Sequence, residues 1–304
     1  MTTKGIDISK WQDRVDMSKV AASDINFILA LIGHGNVISQ KDPFFDANVT
    51  QALKHGIHVG GYYFGYATSI PDAQREADVC NQILQPYRGK LLFPIAYDYE
   101  YASYDYFVKV MGRAPTNAEI DSFINAFNDR LASYGWFVNT YMNGDYIKSG
   151  KVSAATMKKY DVWLADYTGG PDYPCYIQQT GSTGSVPGIV GNVDMDVCFR
   201  DYPTIIQAGG YNGYPKQPQT AVKIDTTMDV TKANGDVYTF RTECTQVPSV
   251  TYGTSGVVQM MHCRREMGYD YWHLFFIGKS GAAAGIYTAA PGEQPTKRFV
   301  ARVA

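Results

Sequence analysis

The sequence predicts an α/β protein, a modified (β/α) barrel of the TIM type, followed by a second and smaller all-β sandwich. Three observations carry that expectation. Over the first 200 residues, short apolar runs alternate with amphipathic stretches, the pattern of parallel strands joined by helical crossovers. About eight of the apolar runs have strand length, which favours closure into a barrel over an open sheet. Near residue 208 the texture changes, and beyond it no helix-length period stands out.

Taken in order, Gly5–Ile8 and Phe27–Ile32 read as strands. Pro43–Lys54 reads as a helix that stops at Gly56, and Ile57–Phe64 as the next strand. Asp72–Leu84 is helical behind Pro71, and Leu91–Asp98 is a strongly apolar strand. Thr116 to Glu119 forms a capping box that opens a helix over Thr116–Tyr134. Phe137–Met142, Asp161–Ala165 and Tyr176–Gln179 are further strands. Residues 1–208 thus form the barrel, and residues 209–220, rich in Gly, Pro and Gln, the linker. Residues 221–304 carry short alternating segments: Ala221–Ile224, Val237–Thr242, Val257–His262, Tyr271–Ile277, Ala284–Tyr287 and Arg298–Val303. Asn234-Gly235 among them is a hairpin signal. In Tyr269-Asp-Tyr-Trp272, the densest aromatic cluster of the tail, the alternation of Trp272 with Leu274 and Phe276 points these three toward the core.

Of 304 residues, 45% are hydrophobic and 18% charged, which suits a protein with a sizeable core and excludes disorder. The net charge of −2 points to no nucleic-acid partner. Residues 1–208 hold 17 Lys and Arg against 22 Asp and Glu, whereas residues 221–304 hold 9 against 7. An acidic first part fits a carboxylate-lined cleft, and a mildly basic tail fits an anionic surface. No apolar run reaches membrane-spanning length. The five cysteines show no metal-ligand spacing and no cofactor motif accompanies them; Cys244 and Cys263 are candidates to pair. His55 and His58 have no metal-ligand set around them, and His34 between two glycines is a polar loop residue or a cleft lining.

Pro94-Ile-Ala-Tyr-Asp98-Tyr-Glu100 places two carboxylates at i and i+2 at a strand end, on one face. Glycoside hydrolysis needs one acid to protonate the leaving oxygen and a second group to stabilise or attack the anomeric carbon. A solvent-facing strand end gives the same pattern. Asp7, between two isoleucines near the chain start, is costly to bury unless it turns into a polar cavity. Asp194 and Asp196 lie late in the same region. In a closed barrel the first and last strands are neighbours, so Asp7 and Asp194 fall close together, near the pair at 98 and 100. Tyr62, Tyr141, Trp163 and Tyr167 sit at or near strand ends, where rings stack on sugars or simply pack the barrel.

The run Gly5-Ile-Asp-Ile-Ser-Lys-Trp-Gln12 resembles the opening motif of the family 25 glycoside hydrolases, lysozymes common in phage endolysins. So do Gly60-Gly-Tyr-Tyr-Phe64, the strand ending at Glu100, and Gln178 through Gly188 leading into Asn192-Val-Asp194, in the family's order over residues 4–200. The resemblance implies an α/β barrel that cuts the β-1,4 bond between N-acetylmuramic acid and N-acetylglucosamine in bacterial peptidoglycan. It assigns Glu100 as general acid, Asp98 as its partner carboxylate, and Asp7 and Asp194 as the acids of the first and last strands. It makes Tyr62 and Gln178 substrate contacts. Tyr63 stands where histidine is usual, and Ile177 and Gln179 replace the aromatics that normally flank Gln178. Either the substrate's acetamido oxygen attacks with Asp98 positioning it, or water attacks directly with inversion. The tail resembles bacterial immunoglobulin-like modules, which implies a cell-wall polymer as its partner. The stretch Met1–Trp11 lacks the pattern of a signal peptide, so the expectation is synthesis in the cytoplasm and action on the wall after release or secretion. A silent wall-binding barrel and a glycosidase for another N-acetyl sugar polymer are the competing readings; the full set of four carboxylates argues against the silent barrel, and a substrate panel separates the other glycosidase.

Overall fold

Eight strands close into a barrel, and each successive strand lies beside the one before it. The computed structural model describes residues 2–216, 221–266, 268–291 and 293–304, divided into two units, Met1–Lys216 and Gln217–Ala304. The first unit runs β1 (Thr3–Ile8), α1 (Met17–Ala21), β2 (Ile25–His34), α2 (Phe45–Lys54), β3 (His58–Phe64) and α3 (Ile70–Leu84). It continues with β4 (Ile95–Asp98), α4 (Tyr101–Met111), α5 (Asn117–Ser133), β5 (Val138–Asn143), α6 (Gly144–Lys148) and α7 (Ala154–Lys159). β6 (Asp161–Ala165), β7 (Ile177–Gly184), β8 (Val193–Cys198) and α8 (Tyr202–Gly209) complete it.

The alternation of strand and helix holds only as far as β6. A loop without a helix joins β6 to β7, and β8 is antiparallel to both β7 and β1. That reversal matters for the chemistry. The start of β8, not its end, lies at the mouth formed by the C-terminal ends of the parallel strands. Alternation along each strand separates two cores. Phe27, Leu29, Ala96, Tyr141, Trp163 and Ile177 fill the barrel, while Ile28, Ala30, Val59, Ile95 and Tyr97 pack outward beneath the helices. Gly5 points inward, and a Cβ there would strike the Phe27 ring that fills the barrel's lower end. Thr116 and Glu119 exchange side-chain and backbone hydrogen bonds at the start of α5, as the capping box requires.

The expected linker begins as part of the barrel. Tyr202 and Ile206 of α8 join the interior core, and Asn212 is fully buried. Asn212 Nδ2 donates to the carbonyls of Leu91 and Phe93 at 3.0 and 3.2 Å, and its Oδ1 accepts the Phe137 N–H at 2.7 Å. Its backbone adopts φ 55°, which asparagine tolerates better than most residues. Residues 217–220, the rest of that segment, lie outside the described residues.

The second unit holds two four-stranded sheets, one of β9 (Lys223–Ile224), β11 (Val237–Glu243), β13 (Val258–Glu266) and β14 (Tyr269–Phe276). The other holds β10 (Val230–Lys232), β12 (Ser249–Tyr252), β15 (Ala283–Ala289) and β16 (Thr296–Val303). Phe240, Trp272, Leu274 and Phe276 of the first sheet meet Ile286, Phe299 and Val303 of the second in one core. Asn234-Gly235 makes a turn, with Gly235 at φ 90°, but no hairpin. The strands on either side belong to different sheets, because β10 pairs with β16 and β11 with β14. Cys263 keeps its thiol, which donates to the Met261 carbonyl at 3.6 Å, so the bridge to Cys244 is not formed. Among the described residues no helix is long and apolar enough to cross a membrane.

Candidate active site

Asp7 and Asp194 are directly opposite in the register of β1 and β8, so both side chains point into the barrel mouth. β4 ends at Asp98, and the chain stays extended through Glu100, at φ −137° and ψ −157°, before α4 begins. That extension keeps the two carboxylates on one face. The Glu100 N–H donates to Ser103 Oγ at 3.1 Å, which anchors the turn from strand to helix. Asp7, Asp98, Glu100 and Asp194 all line one open cleft of about 390 Å³.

Four acids in one mouth disturb one another. Burial, then the neighbouring Asp194, push Asp7 well above the usual carboxylate range. Burial and the charge of Glu100 do the same to Asp98, whose buried Oδ1 has no hydrogen-bond partner. Glu100 is raised by burial and by Asp194, and Asp194 by burial. A buried carboxylate oxygen without a donor is costly, and such sites are found where function requires them. The cluster favours held protons, with at least one acid able to give a proton up.

Aromatic residues line the same cleft. Tyr62 meets the Trp163 ring edge-on at 5.8 Å, and Tyr141 meets it at 4.7 Å. Trp163 is 1% exposed and Tyr141 is 8% exposed, so these two rings form the floor and offer no open stacking face. Tyr167, 53% exposed, is not among the lining residues and is joined to them through its hydroxyl's bond to Gln179. Tyr63 faces the helices, donating to the Gly35 carbonyl at 2.8 Å, so the position where histidine is usual does not reach the cleft.

Gln178 is the residue the structure removes. Its Nε2 donates to the carbonyls of Asp166 and Gly169 at 2.7 and 2.8 Å, outside the barrel. Ile177 fills the interior, so strand parity sends Gln178 outward and Gln179 inward. Gln179 Nε2 donates to Asp7 Oδ2 at 2.7 Å, while its Oε1 accepts from Tyr141 and Tyr167 at 3.2 and 2.9 Å. Gln179 stands opposite Asp196, a fifth inward carboxylate that accepts the Trp163 indole N–H at 2.8 Å. Counting alternate residues from Ile177 was the signal that finds Gln179. Trp11, 81% exposed beside the cleft, was also missed, because a lone exposed tryptophan has no pattern in the chain.

A model of the glycosyl hydrolases family 25 matches residues 6–188. No curated protein matches at a significant level. The modular autolysin LytC from Streptococcus pneumoniae is 25% identical over 64% of this chain, with a TM-score of 0.56. This chain spans 46% of that autolysin's length. The catalytic domain of endolysin ply40 from bacteriophage P40 of Listeria monocytogenes is 21% identical, with a TM-score of 0.56, over 70% of this chain and 98% of that one. The bacterial lysozyme from Streptomyces coelicolor is 22% identical, with a TM-score of 0.52, over 64% and 90%. The last two likenesses concern the fold.

Proposed function

The chain belongs to the glycosyl hydrolases family 25, and from that membership we propose that its barrel is a muramidase cutting the β-1,4 bond after N-acetylmuramic acid in peptidoglycan. The observation that carries the reading is the convergence of Asp7, Asp98, Glu100 and Asp194 on one cleft, with Asp98 Oδ1 buried and unpartnered. Glu100, half-buried and raised, holds a proton and delivers it to the glycosidic oxygen as the bond to the anomeric carbon breaks. The acetamido oxygen of the muramyl sugar closes on that carbon, and Asp98 accepts the acetamido N–H with its unpartnered oxygen. Water then opens the ring, giving a proton back to Glu100, so the anomeric configuration is retained. Asp7, fixed by Gln179, and Asp194 present carboxyl oxygens toward the developing positive charge.

Lysis of purified, N-acetylated walls tests this reading. Wild type is expected to release fragments with reducing muramic acid ends, and Glu100→Gln to lose that activity by about three orders of magnitude or more. Release of nothing by wild type that still sediments with walls would make the barrel a binding scaffold. An inverted first product would replace acetamido attack by direct attack of water. For residues 221–304 the reading is retention on a cell-wall polymer, supported by a separate core and a mildly basic balance of 9 cations to 7 acids. The enzyme would meet its substrate outside the cytoplasmic membrane, after release as an endolysin or after secretion.

A further inference from the structure

The cleft that gathers four carboxylates holds a single Lys or Arg among its described lining residues, Lys10. We propose that Lys10 and Trp11 form a subsite for the carboxylate of the muramyl unit, so that the cleft selects acidic wall glycan over neutral polymers of N-acetylglucosamine. The inference rests on the muramidase reading. A substrate bearing a carboxylate finds no favourable charge among the acids of this cleft, and any of them that is ionised repels it, unless a cation meets it. Lys10 makes no ion pair among the described residues, and its ammonium stands 5.1 Å from the centre of the Trp11 ring. Burial, and then the charge of Lys10, push the His34 imidazole in the same cleft below its ordinary range, against the opposing pull of Asp42.

The turn that carries the pair is held firmly. Ser9, buried, accepts the Trp11 N–H at 3.2 Å, and Gln12 Oε1 accepts the Ser9 N–H at 2.9 Å. Buried Asp42 accepts the Lys10 N–H at 3.0 Å, which ties the turn to the segment after β2. The indole itself is left 81% exposed on this fixed turn. A sugar ring lying against it would bring its substituents within reach of the ammonium. In wall glycan only the muramyl sugar carries an acid. That acid is the lactyl carboxylate where no peptide is attached, or otherwise the first free carboxylate of the stem peptide.

Binding is best measured in the Glu100→Gln background, where ligands stay intact. Three probes separate the possibilities: a tetrasaccharide of alternating N-acetylglucosamine and N-acetylmuramic acid with free lactyl groups, the same with stem peptides, and chitotetraose. The muramyl ligand is expected to bind more tightly than chitotetraose. Adding Lys10→Met should weaken it about three- to fivefold, with no comparable loss for chitotetraose, and the preference should fade as salt rises. Lys10→Glu should reverse the order of the two ligands, while Lys10→Arg should keep it. Whichever muramyl probe loses more affinity identifies the lactyl or the peptide carboxylate as the anion. A preference for muramyl ligands that persists in both Lys10→Met and Lys10→Glu overturns the subsite. A preference abolished by Lys10→Met in a barrel whose wild type cuts no wall leaves the subsite standing and overturns the muramidase reading instead.

Discussion

Asp194 acts on Glu100 through its charge, and that influence has a direction that can be measured. After burial, the carboxylate of Asp194 is what holds Glu100 above its ordinary range. A raised acid stays protonated to higher pH, so general-acid activity is lost as pH rises through that raised value. Replacing Asp194 by asparagine removes the repulsion while keeping the shape. The alkaline limb of kcat/KM on a soluble glycan should then move to lower pH. An unmoved limb would mean that Glu100 owes its shift to burial alone. The parity of β7 works at the same scale. One step along the strand separates Gln179, which fixes Asp7, from Gln178, which braces a loop outside the barrel.

Helix α3 is pinned to the barrel through one carboxyl. Glu76, 1% exposed, accepts the Tyr97 hydroxyl at 2.6 Å and the Tyr66 backbone N–H at 2.7 Å. Burial pushes its acid up to about 8, against an ordinary value of about 4.3 in an unfolded chain. Between those two values the folded protein holds a proton that the unfolded chain releases. Stability from this group is therefore full below the lower value and is lost as pH rises through the upper one. Glu76→Gln should flatten that decline, which urea midpoints at pH 5 and pH 9 would reveal as a smaller difference than in wild type. At the other end of the barrel, Asn212→Ala would strip partners from the Phe137 N–H and two carbonyls. The expected cost is about 2–4 kcal/mol in denaturant unfolding, with little change in KM because the cleft is at the opposite end.

Two units with separate cores can be parted, and the proposed division of labour between them tested. A protein of residues 1–216 should cut soluble glycan with unchanged kcat. It should also lose most of its co-sedimentation with intact walls, by about tenfold or more if the tail supplies the second point of attachment. Equal sedimentation of the short and full chains would assign wall retention to the barrel. The cut belongs after Lys216, because residues 209–216 are part of the barrel's lower closure.

Seven of the eight barrel strands, the long helix behind its capping box, and the acids at 98 and 100 were legible in the chain because each rests on local order. Apolar runs, i to i+2 spacing and cap residues are all decided within a few positions. Helix α4 was not legible, since Val108, Val110 and Met111 face solvent while Ser103 and Phe107 are buried, which erases the amphipathic period. Gln179, Asp196 and Asn212 take their roles from partners far away in sequence: Asp7, Trp163 and Phe137. Local spacing selects the elements and the chemistry they carry. Which face of β7 meets the acids, and that β8 runs backwards to bring Asp194 to the mouth, follow from closing the barrel, because only closure sets the register between the first strand and the last.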